Sequence, residues 1–234
     1  MHLREINFAL GVVLAAFSSV GSAQAQADFP TGFPRKRFSA AIGGRFFLDR
    51  EVRDFIAGRS VLRNLGYDLL TIPSSRPIVL QFYYENLPGQ SKDRTRPIVL
   101  NLPETSPVTV REGETAKREA LTGVGIAARV YLAGSGRTTV LPYAGVGIGY
   151  YHASVSASQG IVLTYPDGTP GFISDANTAD GNGIGGKVFL GADHRSGLFG
   201  EAGYTFVPKA KLRVFRTERT FDFGGFDVCV GVRF

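Results

Sequence analysis

The chain has 234 residues, a formal net charge of +6, 30 glycines, 18 phenylalanines, one cysteine and no tryptophan. A single cysteine excludes an internal disulfide, and three scattered histidines beside it form no metal-ligand cluster. The basic residues are dispersed rather than gathered into a patch, which excludes a nucleic-acid footprint, and nothing in the chain calls for a cofactor.

The first residues read as a secretory leader. Arg4 lies in a short polar start, residues 6–20 are almost entirely apolar, and A-x-A sites follow at 23–25 and 25–27. Cleavage after Ala25 or Ala27 removes the leader and leaves 28–234 as one domain. The apolar run is shorter than the ~20 residues a membrane helix needs; an uncleaved anchor is the alternative. Downstream no stretch is long and apolar enough to cross a bilayer as a helix, so a membrane location requires a closed barrel.

Strict period-two alternation then recurs along the chain, the signature of strands with two unlike faces. Residues 37–48 set Phe38, Ala40, Ile42, Gly44 and Phe46 against Ser39, Ala41, Gly43 and Arg45. A long connection, 49–75, carries balanced charge and a short helical piece near 51–64. Residues 77–87 place Ile78, Leu80, Phe82 and Tyr84 opposite Val79, Gln81, Tyr83 and Glu85. The string RPIVL at 76–80 recurs at 96–100 beyond a polar turn at 88–96, and the two read as strands of one hairpin. Pro103 and Pro107 interrupt the second of them, 97–111, which makes it short and bulged or changes its pairing.

The second half is more regular. Residues 120–132 set Val124, Ile126, Ala128, Val130 and Leu132 against Gly123, Gly125, Ala127, Arg129 and Tyr131, before a tight turn at 134–137. Residues 140–155 place Ala144, Val146, Ile148 and Tyr150 opposite Tyr143, Gly145, Gly147, Gly149 and Tyr151. A long polar loop spans 156–180. Residues 183–193 then set Ile184, Gly186, Val188 and Leu190 against Gly185, Lys187, Phe189 and Gly191. After a turn at 194–197, residues 198–207 place Gly200, Ala202, Tyr204 and Phe206 opposite Phe199, Glu201, Gly203 and Thr205. A basic stretch, 209–219, leads into the last strand, 226–234. There Phe226, Val228, Val230, Val232 and Phe234 share one face, and Asp227, Cys229, Gly231 and Arg233 the other.

These are eight strands. Their connections are short or moderate on one side (88–96, 134–137, 194–197) and longer on the other (49–75, 112–118, 156–180, 208–219). That alternation predicts an all-β fold, an eight-stranded antiparallel transmembrane β-barrel with short periplasmic turns and longer extracellular loops in a Gram-negative outer membrane. A soluble sandwich has no reason to keep it, and a soluble lipocalin-like barrel would reverse the faces.

The last strand resembles the C-terminal strand of bacterial outer-membrane barrels, whose terminal Phe is part of the signal read by the insertion machinery. The resemblance implies that role for Phe226, Val228, Val230, Val232 and Phe234. The strings PYAGVGIGYY at 142–151, GGKVFLGADHRSG at 185–197 and LFGEAGYTF at 198–206 resemble the small porin-like barrel domains of the OmpA/OmpW/opacity-protein type. Such barrels serve as adhesins, structural proteins, narrow pores and small-molecule conduits, so the fold does not choose among them.

An eight-stranded barrel has an interior that side chains can fill. The inward charges Arg45, Glu85, Arg129, Lys187, Glu201, Asp227 and Arg233 must therefore pair, because unpaired buried charge is expensive. Arg129, Lys187 and Glu201 are each a few residues from a short turn, which suggests one shared layer. The bare inward glycines leave room either for Phe189, Tyr83 and Arg129 or for a narrow channel. Tyr150, Tyr204 and Phe206, with Phe226 and Phe234, belong to interfacial girdles. His152-Ala153-Ser154 has the His-x-Ser spacing of outer-membrane lipid A deacylases, but the sequence offers no neighbouring outward carboxylate and no matching motif, so no catalytic residue is assigned.

The expected function is a structural or surface-interaction barrel plugged by its charge network. A narrow conduit for small solutes or hydrophobic molecules is the alternative, and a lipid-modifying enzyme the remote one. The expected partners are outer-membrane lipid and lipopolysaccharide and the insertion machinery, with an extracellular ligand of unknown identity at the long loops.

Overall fold

The computed structural model describes residues 37–72, 76–100, 108–132, 139–164, 169–214 and 217–234. The leader, the turn at 134–137, Pro103 and Pro107 lie outside them. In chain order the elements are β1 (Phe38–Phe47), α1 (Arg50–Phe55), β2 (Arg59–Ile72), β3 (Ile78–Leu87), β4 (Gln90–Leu100), β5 (Val108–Arg118), β6 (Leu121–Tyr131), β7 (Val140–Thr164), β8 (Pro170–His194), β9 (Leu198–Phe206), β10 (Ala210–Val214), β11 (Thr217–Phe221) and β12 (Gly225–Arg233).

Eight strands close into a ring in the order β1-β2-β3-β6-β7-β8-β9-β12, and every pairing is antiparallel. The seam joins the first strand to the last, from Ser39 opposite Arg233 to Phe47 opposite Gly225. Closure leaves no unpaired edge within the ring, as hydrocarbon demands. The faces are inverted relative to a soluble protein: Arg45 and Arg129 are fully buried, whereas Ile148 and Val230 are 62% and 64% exposed. Outward aromatics gather at both ends of the apolar band. Phe38, Tyr67 and Phe234 cluster at the short-turn end, with Phe38 4.8 Å from Tyr67 and 6.1 Å from Phe234 between ring centres.

The architecture corrects several details of the sequence reading. The stretch 49–75 is not a loop: after α1, whose Asp49 caps the Val52 amide at 2.8 Å, it holds the barrel strand β2. Conversely, 96–100 is no barrel strand and does not pair with 76–80. It belongs to β4, which pairs only with β5, Pro97 standing opposite Arg111. The eight-strand count is kept because one strand was missed and one miscounted. The 88–96 segment accordingly lies at the long-loop end, and the short connection that replaces it is at 73–77.

In the polar stretch 156–180, residues 156–164 and 170–180 are strand, and so is the segment 112–118. β7 and β8 continue as a paired ribbon beyond the barrel to Thr164 opposite Pro170, and β5 pairs with the extended part of β7. Since ~9–11 residues suffice to cross a bilayer as a tilted strand, the 25 residues of β7 reach well past it. β4, β5 and the distal halves of β7 and β8 thus form a four-stranded arm. The basic stretch 209–219 folds as the hairpin β10–β11.

Over the mouth, Val52 comes from α1 and Ile56 from its C-cap, Leu212 and Phe221 come from the hairpin, and Phe223 follows it. These pack with Phe47, Leu62, Leu87 and Leu121 of the barrel rim in one buried cluster. The mouth is thereby roofed by an apolar cap, built as the core of a small soluble domain would be.

Candidate functional site

The inward residues form two charge clusters at different heights. In the upper one, Arg45 donates from Nε and Nη2 to Asp227 Oδ1 and Oδ2 at 2.6 and 2.7 Å, and from Nη2 to Glu85 Oε2 at 3.2 Å. Lys187 Nζ donates to the other oxygen of Glu85 at 3.0 Å and stands 4.0 Å above the Tyr83 ring. Thr205 Oγ1 donates to Asp227 at 2.6 Å. Three of these side chains are essentially dry, so their mutual attraction has to offset desolvation of several kcal/mol per ion.

The lower cluster sits toward the short turns. Arg129 Nη2 donates to both Asp68 oxygens at 2.7 and 2.8 Å. Arg233 Nε donates to Asp193 Oδ1 at 2.9 Å, and Tyr131 Oη donates to Asp193 Oδ2 at 2.6 Å. Arg233 Nη2 also donates to Tyr143 Oη, which in turn donates to Glu201 Oε2 at 3.2 Å. Among the described residues no cation lies within ion-pair distance of Glu201. Of the expected layer, Lys187 is bonded to Glu85 in the upper cluster and lines one small cavity with Glu201, while Arg129 is bonded to Asp68.

The inward glycines are covered by rings. Tyr151 lies across Gly123 and Gly185, Tyr83 Oη over Gly125 and Gly149, and the Phe189 ring over Gly145. A Cβ at Gly149 would stand 2.5 Å from Tyr83 Oη, so no larger residue fits while the tyrosine stays. Tyr83 and Tyr151 also share a hydrogen bond of 3.1 Å between their hydroxyls. Arg129 covers no glycine; it is spent on Asp68. A residual cavity of about 10 Å³, room for roughly one water, is lined by Glu85, Lys187, Glu201, Thr205, Asp227 and Cys229 among others.

On the outer face, Phe226, Val228, Val230, Val232 and Phe234 are all exposed. Tyr150 and Phe206 are exposed too, and Tyr204 is half-buried with its ring at 4.7 Å to that of Phe206. Across the ladder, Asn182 stands opposite His152 and meets its Nδ1, and the carboxylate-bearing Asp180 stands opposite buried Ser154. The sequence reading placed no such carboxylate beside the pair. His152 meets Asn182, and among the described residues no hydrogen bond joins it to Ser154.

Three interior residues escaped the sequence reading. Asp68 lies on the unrecognised strand β2. Asp193 continues the inward series of Lys187, Phe189 and Gly191 by one further step, a signal that was available. Arg118, fully buried at the mouth, belongs to β5 of the arm. Its Nη2 donates to Ser60 Oγ at 2.8 Å, Pro88 O at 2.6 Å and Gln90 Oε1 at 3.4 Å, and its guanidinium lies 5.3 Å over the Phe47 ring.

No family model and no curated protein matches the chain. Among solved structures it is similar to Ail, the attachment invasion locus protein of Yersinia pestis. The match has 12% identity and a TM-score of 0.35 for the complex with the heparin analogue sucrose octasulfate, and 10% and 0.36 for a second Ail structure; each covers 86% of this chain and 100% of Ail.

Proposed function

We propose that the protein is an integral outer-membrane barrel of structural or surface-contact function, with a lumen held shut by its own side chains. The observation that carries this reading is the cross-lumen cluster Arg45–Asp227–Glu85–Lys187, drawn from four strands and backed by rings seated on glycines. The same chain end that supplies Asp227 carries the outward series Phe226, Val228, Val230, Val232 and Phe234, which we assign as the insertion signal. The 1–25 leader would deliver the chain to the periplasm, and lipopolysaccharide would meet the apolar band at the long-loop end. Contact with an extracellular ligand falls to the arm, which stands clear of the membrane. The resemblance to opacity-type barrels agrees with this assignment.

A second reading, a narrow conduit, is favoured by one observation: the small cavity is lined by both Lys187 and Glu201, whose carboxylate has Tyr143 as partner and no cation in contact among the described residues. Planar-bilayer recording separates the two. A plugged barrel is silent, and Lys187→Ala and Glu201→Ala change only its stability. Regular conductance that either substitution raises or abolishes would establish the conduit instead.

A further inference from the structure

Among the described residues five cations are buried, and four of them have a carboxylate within about 3 Å: Arg45 at 2.6 Å, Lys187 at 3.0 Å, Arg129 at 2.7 Å and Arg233 at 2.9 Å. The fifth, Arg118, has none among the described residues, although it is fully buried. Among the described residues its Nε and Nη1 make no hydrogen bond; Nη1 of Arg45 and Nε and Nη1 of Arg129 make none either, but each of those arginines holds a carboxylate through its other nitrogens. Ser60 is the ladder partner of Arg45, and its Oγ accepts from Arg118 at 2.8 Å, so the two arginines meet at one level of the rim. The Phe47 ring beneath Arg118 offers its quadrupole but no net charge.

An uncompensated buried guanidinium next to a second one is costly beyond what neutral acceptors offset. Arg45 and Lys187 share Glu85 and Asp227, and Glu201, the carboxylate with no cation in contact among the described residues, lines the cavity beside Lys187, so Arg118 is left without a counter-ion of its own. We propose that Arg118, Arg45 and the Ser60 hydroxyl bind one small inorganic monoanion of the chloride type at the mouth of the barrel. The unpaired N–H groups of both arginines and the Ser60 hydroxyl are its donors, and its charge is the counter-charge that Arg118 lacks. Such an ion ties the arm, through β5, to the rim strands β1 and β2, so occupancy stiffens the roof over the lumen.

The test uses the full mature chain folded in detergent, with the midpoint of heat-induced loss of the fast-migrating gel band as readout. Sodium chloride is compared with sodium gluconate at matched ionic strength. The expected result is a saturable rise of roughly 3–5 °C per tenfold chloride above half-saturation, absent in Arg118→Gln. Because that variant can fail to fold, crystals of the unaltered protein grown in bromide provide the second measurement, with an anomalous peak within hydrogen-bonding reach of Arg118 Nη1 expected. Equal midpoints in the two salts, or water alone beside Arg118 in the bromide crystals, would overturn the proposal.

Discussion

Arg45 and Asp227 are 182 positions apart in the sequence and joined by two hydrogen bonds, at 2.6 and 2.7 Å, across the seam where the first strand meets the last. Ladder bonds close the seam along its length, but only this pair fixes it by charge from inside the lumen. Removing one partner leaves a buried ion without its counter-charge. Asp227→Ala is expected to cost about 3–5 kcal/mol, read as a lowered urea midpoint for refolding in detergent. The double variant Arg45→Met/Asp227→Leu should recover much of that loss, because it strands no charge.

The rings over the glycines make a steric prediction. A Cβ at Gly145 collides with the Phe189 ring, so Gly145→Ala should destabilise by about 1–3 kcal/mol, the usual cost of overpacking. Phe189→Ala removes the ring, leaving the Ala128 carbonyl oxygen at 2.8 Å as the remaining close contact of the new methyl. The double variant should be more stable than the two single losses predict by addition, and a double-mutant cycle on the same urea midpoints measures that coupling.

The inverted faces predict opposite penalties for charge on the two sides of one strand. Ile148, on the outer face of β7, stands opposite Ile126 and Gly186 in mid-barrel. Ile148→Arg should cost about 2–4 kcal/mol in lipid, the penalty for a cation at the bilayer midplane. Insertion yield into vesicles checks it, with Ser158→Arg on the polar arm of the same strand as the neutral control.

Arg219 ties the cap together, with Nη1 3.4 Å from Glu51 of α1 and Nη2 3.4 Å from Glu114 of the arm. These groups are partly solvated, so Arg219→Ala should change global stability by less than ~1 kcal/mol. Its effect should instead appear as faster proteolysis around α1, most pronounced at low salt, where screening is weakest.

Strands β6, β9 and β12 and the lower halves of β7 and β8 were legible because lipid on one side and a packed lumen on the other force unlike residues onto the two faces. β2 was hidden by the same physics applied unevenly. Leu62 points inward to the apolar cap, Arg63 points outward at the rim, and a register shift between Asp68 and Leu70 sends Leu69 and Leu70 both to the lipid side, breaking the period of two. The apolar RPIVL string of β4 imitated a membrane strand while serving the arm. Charges on recognised strands could be placed inside from alternation alone. Their partners could not, because pairing depends on register and tilt: Glu85 draws Lys187 upward, and Asp68 takes Arg129. Arg118 carried no signal, since its strand is polar on either side of the periodicity.

The central claim is a closed barrel inserted in the outer membrane. The most direct measurement is the gel mobility of unboiled against boiled outer-membrane fraction from cells expressing the full precursor. The account predicts a band that shifts on boiling and is lost when Phe234 is deleted. An unshifted band recovered in the soluble periplasmic fraction would contradict it.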